Sequence, residues 1–335
     1  MDAKITKERI NRLLSYDWLK IVGIIVAVIV LWTLVFNLTA TRARPSQKFK
    51  VFNYHVNEMF SEEFETSYSN FFRNNGFSYE VIEADKEDLS GYGESNALSL
   101  LDGRLAINDG DAVFVPNTAY KVNSLSYEDE NGEKVYRFTH LEYYVWRYLQ
   151  YTTDLDVYFS ELETYLNKFY DGDYLTNALN EEKVATEFRA RAKVNKDKRY
   201  RKEEKILAGI EGDKVRIQKY RDALIEFNEY VAEGLVQIQK VQVKDTNGEL
   251  FYEGNYAINI CVDESKTGNL KNYVKYMKTW TEKDENGEEK EKKQSTAQDM
   301  CVVLIKSETE KGFEYESLLF VNEMIRLSKT VAVNP

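Results

Sequence analysis

The residues that could do chemistry are few. The chain of 335 residues has two histidines, His55 and His140, and two cysteines, Cys261 and Cys301. His55 follows the alternating run Lys48–Tyr54 (K-F-K-V-F-N-Y), which reads as a strand. Open parallel sheets bind ligands at the carboxyl ends of their strands, so His55 is a candidate ligand contact; its plainer reading is a core-edge residue. Each cysteine lies in an apolar run, and no CxxC occurs. They form either one cross-strand disulfide or two buried thiols, a choice that geometry decides. No GxSxG, HExxH, P-loop or dinucleotide fingerprint is present. The sequence therefore predicts a non-enzyme with no catalytic residue, metal or cofactor. Three D-x-N-G sequences, at Asp129, Asp245 and Asp284, share the core of a calcium loop but lack its closing Glu. Asn-Gly is also the strongest short hairpin signal, and they read as hairpin turns.

The elements around His55 predict an α/β fold. After the first strand, Ser61 caps a helix to Asn74, Ser78–Glu83 reads as a second strand, and Glu94–Ile107 as a second helix. Asp111–Pro116 (D-A-V-F-V-P) is a short apolar run suited to a buried parallel strand. This β-α-β-α-β order implies right-handed crossovers and a parallel sheet. Its carboxyl rim would hold Asn53, Tyr54 and His55, then Pro116, Asn117, Thr118 and Tyr120. Tyr143, Trp146 and Tyr256 are candidates to face that rim, since aromatic rings suit flat or sugar-like ligands; the alternative is ordinary packing. Phe138–Tyr170 reads as an aromatic helix, and Glu181–Gly234 as two helices broken near Gly209 and Gly212. Strands return at Leu235–Val243, Leu250–Cys261 and Met300–Lys306, with helices at Asn269–Met277 and Phe313–Leu327. The expected organisation is a sheet lobe (48–120 and 235–335) and a mainly helical lobe (138–234) facing a cleft.

Ile21–Thr41 carries no charged residue. About 20 residues at 1.5 Å rise span roughly 30 Å, the thickness of a bilayer's hydrocarbon core. The run is longer than a signal peptide's apolar stretch and follows a polar segment, so it reads as a transmembrane anchor, although Thr39-Ala40-Thr41 resembles a weak cleavage site. The expected layout is a cytoplasmic stub (1–20), a helix (21–41) in the cell membrane, a tether (42–47) and an extracytoplasmic domain (48–335). Basic residues flank the run almost equally, Lys4, Lys7, Arg9, Arg12 and Lys20 before it and Arg42, Arg44, Lys48 and Lys50 after it. A net charge of −11 argues against nucleic acid as a partner. The basic stretch Arg189–Lys205 is either a solvated helix face or a contact for anionic lipid.

The run K-F-K-V-F-N-Y, the stretch S-Y-E-V-I-E-A-D and the segment from Asn96 to Asn117 (N-A-L-S-L-L-D-G-R-L-A-I-N-D-G-D-A-V-F-V-P-N) together resemble the opening lobe of extracellular solute-binding proteins of ABC importers. Asn255–Ile260, Met300–Lys306 and the following E-S-L-L-F-V-N-E-M-I resemble that family's return strands and closing helix. The resemblance covers about 100 soluble residues. It implies a periplasmic-binding-protein-like domain that closes on a small solute and docks to an ABC permease, without a covalent step. The chain departs from the family in its protein anchor and its helical middle. The alternative is a non-catalytic accessory or scaffold subunit that binds protein in a membrane complex.

Overall fold

The computed structural model describes residues 7, 8, 11, 18–39, 43, 47–59, 61–122, 126–128, 132, 134–195, 197–244, 249–283, 289–306 and 315–330, in two units divided after Ala43. The first unit holds helix α1 (Trp18–Thr39), of which Trp18–Asn37 is long and apolar enough to cross a membrane. The helix starts three residues before the uncharged run, because Lys20 is tolerated at a helix end.

The second unit is a mixed α/β domain. Its first part runs β1 (Lys48–Asn53), β2 (Asn57–Glu58), α2 (Glu62–Arg73), β3 (Glu83–Asp88), α3 (Glu94–Ala106) and β4 (Ala112–Pro116). A small hairpin, β5 (Ser126–Glu128) and β6 (Lys134–Tyr136), leads to helices α4 (His140–Tyr148), α5 (Leu155–Phe169), α6 (Glu181–Val194) and α7 (Glu203–Ala232). Then come β7 (Gln237–Lys244), β8 (Leu250–Asn259), the single turn α8 (Glu264–Thr267), β9 (Lys275–Lys283), β10 (Glu289–Thr296), β11 (Met300–Leu304) and α9 (Glu316–Ser328).

Six strands form one sheet in the order β3-β1-β4-β11-β8-β7. β1 is parallel to β3 and β4, whereas β11 runs antiparallel to β4 and β8, and β7 antiparallel to β8. The period of two in β1 sends Phe49 and Val51 into one buried cluster and Phe52 into another, one on each side of the sheet. α2 packs into the first cluster through Phe64 and Tyr68, and α3 into the second through Ala97, Leu98, Leu101 and Leu105. Successive crossovers therefore lie on opposite faces, as a doubly wound sheet requires.

The middle helices are packed on this sheet. Leu162 and Leu166 of α5, Ile217 and Leu224 of α7 and Leu318 and Val321 of α9 join Phe49, Val51 and Phe114 in one core, while Leu141, Tyr144 and Tyr148 of α4 join α3 on the other face. Both cysteines are free buried thiols, Cys261 in the first cluster and Cys301 in the second.

Several elements differ from their sequence reading. The second strand is the charged Glu83–Asp88, not Ser78–Glu83. It lies at the sheet edge, where Lys50 of β1 meets Asp85 at 3.5 Å and Glu87 at 3.8 Å. The more apolar residues before it serve the helices instead: Tyr79 donates to Asp213 at 3.1 Å, and the Ser78 N–H to Glu316 at 2.9 Å. The aromatic helix is two helices, because Thr152 and Thr153 leave it to bond the end of β11. Residues 275–277 belong to strand β9 rather than a helix, and β9 pairs with β10 and β2 in a second sheet. The D-x-N-G sequences lie mainly outside the described residues; each falls between two strands that pair antiparallel.

α7 runs unbroken for 30 residues through Gly209 and Gly212. These glycines permit close approach instead of ending the helix. A Cβ on Gly209 would stand 2.2 Å from Phe188 Cζ, and one on Gly212 would stand 2.9 Å from the Tyr79 ring. The fit brings part of the basic stretch onto buried acids. Asp213 accepts from Arg191 at 2.9 Å and from Arg216 at 3.1 Å, Arg216 donates to Tyr165 at 3.1 Å, and Arg199 meets Glu80 at 3.0 Å. Gly209→Ala should therefore destabilise the domain by about 1–3 kcal/mol through overpacking, in spite of alanine's helix propensity. Gly103→Ala in α3, where nothing lies within 4 Å, should stabilise it by up to about 1 kcal/mol. Urea midpoints of the two variants in detergent check the pair of signs.

Candidate functional site

The crevice of a doubly wound sheet opens at the carboxyl ends of the strands between which the crossovers diverge, here β1 and β4. The chain turns sharply after β1, with Asn57 N–H donating to Tyr54 O at 2.9 Å. Asn53 is wholly buried; its Nδ2 donates to Asn57 O at 2.5 Å and to Asp88 Oδ1 at 2.9 Å. Asn57 Nδ2 donates to Phe114 O at 2.7 Å, which fastens this turn to β4. Tyr54 is buried under it, and the His55 ring lies tilted against Tyr54 with ring centres 4.3 Å apart.

The opposite wall is the start of α4. Thr139 and Glu142 form a capping box that fixes His140 as the first helical residue. His140 N–H donates to Thr118 O at 2.8 Å, and Tyr120 N–H to Phe138 O at 2.8 Å, so 118–120 and 138–140 are laced together. Tyr120 is thereby set against His140 (5.0 Å) and Tyr143 (4.5 Å), and its hydroxyl donates to Glu94, the first residue of α3. The third wall is β9, joined to the turn through the pairing of Tyr276 with Asn57, while Lys121 reaches Thr279 O at 3.3 Å. These walls enclose a cleft of ≈ 480 Å³ whose lining includes both histidines, Glu94, Lys121 and Lys278.

Among the residues expected at the rim, His55, Thr118 and Tyr120 line the cleft. Asn53 and Tyr54 lie directly behind His55, fully buried. Tyr143 stacks on Tyr120 and carries the ring contacts outward to Trp146 at 5.6 Å, which is 49% exposed. Asn117 is tied through its N–H to Asp299 O at 2.9 Å and does not line the cleft. Tyr256 sits within β8 against Tyr252, with ring centres 6.3 Å apart and no ring contact to the histidines. The sequence reading missed His140, Glu94 and the β9 wall. The T-H-L-E capping box at 139–142 was the local signal for His140.

The two imidazoles meet edge to face, with ring centres 6.1 Å apart at 73°. Burial pushes the His140 ring down to about 4, and a charge on His55 would push it further in the same direction. Burial also lowers His55, opposed by the nearby Glu94 carboxylate. Both rings are therefore neutral at pH 7. The Nδ1 atoms of both are buried without a protein partner, as are Asn53 Oδ1, Tyr54 Oη, Asn57 Oδ1 and Tyr144 Oη. Six of the ten such atoms among the described residues thus lie at the end of β1 and the start of α4, a density that marks a place built for polar occupancy. Among the described residues no three His, Cys, Asp or Glu are grouped to hold a metal ion.

A histidine held neutral by the fold binds fewer protons folded than unfolded between its folded value near 4 and the usual 6.5, so its contribution to stability rises with pH across that window. Asp111 works in the opposite sense: burial pushes its carboxyl up to about 7, and its contribution falls as pH rises through that value. The difference between the native chain and His140→Gln isolates the histidine. The native chain should lose on the order of 2–3 kcal/mol more than the variant between pH 6.5 and 4, measured by denaturant titration at each pH. Equal slopes would mean that His140 titrates normally. No family model, curated protein or solved structure matches this chain.

Proposed function

We propose that this chain is a membrane-tethered binding protein that holds a small solute, without a covalent step, in the cleft between β1, β4 and α4. The observation that carries the reading is the set of buried, unpartnered polar atoms behind two neutral histidines at the carboxyl ends of parallel strands. The apolar helix α1 supports the tether. The cleft lies at the far end of β1 from Lys48, where the segment after α1 joins the domain. In this reading the N-terminus is cytoplasmic and the domain extracytoplasmic. The partner is an ABC-type permease, for which the resemblance to solute-binding proteins is the support. The sequence carries no GxSxG, HExxH, P-loop or dinucleotide fingerprint, and solute binding requires none. A protein-binding accessory role draws instead on Leu250 and Phe251 of β8, which are 51% and 71% exposed.

Thermal melting of the full chain in detergent, against sugars, amino acids, peptides and small organic acids, tests the reading. A solute at 100 times its dissociation constant should add about 2.7 kcal/mol, a rise of several degrees. A cooperative melt that no compound moves would reject solute binding in favour of the accessory role.

A further inference from the structure

The second cavity, ≈ 740 Å³ between α5 and α6, is lined by Lys168, Glu187, Arg191 and aromatic rings. Two of these charges already pair with each other, and Arg191 is held by Asp213. The β9–β10 ribbon is rich in lysine and exposes Trp280, but it lies at the carboxyl end of β1, away from Lys48. The histidine cleft carries more.

We propose that the cleft takes the oxyanion group of its solute, a carboxylate or a phosphate, between His55 and His140, and that the bound complex takes up a proton. The inference rests on the binding reading above. Each ring has its Nδ1 sealed in the protein without a partner, which leaves Nε2 as the nitrogen open to the cleft. Nε2 is therefore the nitrogen that can gain a proton from the cleft, and once protonated it donates to whatever lies between the rings. Tyr54, wholly buried behind the cleft and in contact with both histidine rings, holds them from the core side.

The charged groups lining the cleft are Glu94 from α3, Lys121 after β4 and Lys278 from β9; on the surrounding elements Glu142 is held in the capping box, Asp88 accepts from Asn53, and Glu58 pairs with Lys275. Tyr54, Tyr120, Tyr143 and Tyr276 are the neutral titratable neighbours. Two lysines against one glutamate make this opening locally cationic in a chain of net charge −11. Tyr120 already donates to Glu94. An arriving anion would meet that carboxylate as well, and protonation of one imidazole offsets the repulsion. The proton comes from solvent and adds to the Nε2 lone pair of a ring whose own hydrogen sits on Nδ1, so the new N–H faces the anion; no covalent bond of the solute changes. A neutral site that becomes imidazolium only with its anion couples binding to pH: affinity should rise as pH falls towards the free value of His140.

The experiment is nitrogen NMR of the untagged full chain in detergent, labelled in histidine, where two imidazoles give two sets of signals. Inorganic phosphate and acetate are the anionic probes, and glucose, tetramethylammonium and zinc the comparators. One anion or both should move the two sets together, turn at least one ring towards imidazolium, and bind up to about tenfold tighter per unit fall in pH. The stronger of the two tells phosphate from carboxylate. Lys278→Gln, at an exposed position, should weaken that anion several-fold with the fold intact, and His140→Gln should remove the pH slope. Three results would overturn the proposal: anions that leave both rings unmoved, anions that bind without any pH dependence, or zinc that moves both rings where anions do not. If glucose or tetramethylammonium alone moves the rings, the cleft still binds a solute and only the oxyanion assignment fails.

Discussion

Everything about the site depends on β1 being covered on both faces. A strand with Phe49 and Val51 on one side and Phe52 on the other, all at 1% exposure or less, must sit between two layers of helix. The chain can meet that requirement only by leaving β1 for β3 over one face and returning from β3 to β4 over the other. The two crossovers part at the carboxyl ends of β1 and β4, and no helix of either layer covers that point. A cleft there is a consequence of topology before any side chain is chosen. β9 and the start of α4 then wall a shallow crevice into a half-open cleft.

The domain contains two concentrations of buried polar groups, and they are built on opposite plans. Around Arg216, 1% exposed, every charge has an answering charge or hydroxyl: Asp213 meets Arg216, Arg191 and Tyr79, and Glu316 meets Tyr220 and the Ser78 N–H. Removing one partner from such a network strands the other in low dielectric, at a cost of about 3–5 kcal/mol, so the network locks α6, α7 and α9 to the loop before β3. At the end of β1 the pattern is reversed: asparagine, tyrosine and histidine atoms are buried and lack protein partners. Native proteins tolerate that cost at few places, and a binding site is one of them. The contrast separates structure from function more sharply than either cluster alone.

Much of this was legible in the sequence where one local rule spoke clearly. The alternation of K-F-K-V-F-N-Y, the cap at Ser61 and the apolar D-A-V-F-V-P run gave the first crossover and the buried strand, and with them His55, Thr118 and Tyr120 at the cleft. The failures share one cause, tertiary override of local pattern. Glu83–Asp88 is a strand because Lys50 and a free sheet edge tolerate its acids, and Gly209 continues a helix because Phe188 needs the room. Tyr256 was judged by residue type; in β8 it packs against Tyr252 at the border of the cluster around Tyr54 and does not line the cleft.

The histidine pair itself could not have been found from spacing, since 85 residues separate His55 from His140. What joins them is backbone: the bridge between Ala119 and Thr139 lays the segment after β4 beside the start of α4, and the turn after β1 is bonded to β4 through Asn57. β4 is thus the common support of both rings. Both rings sit on segments bonded to this strand or to the residues just after it, and its five residues are all buried, so the core limits how far either ring can shift. That rigidity gives the pair its chemical value. Two imidazoles held apart at a fixed distance, neutral and short of partners, cannot relax onto each other or collapse onto the protein. On the side of each ring that opens to the cleft, the partner left to it is a molecule that enters from outside.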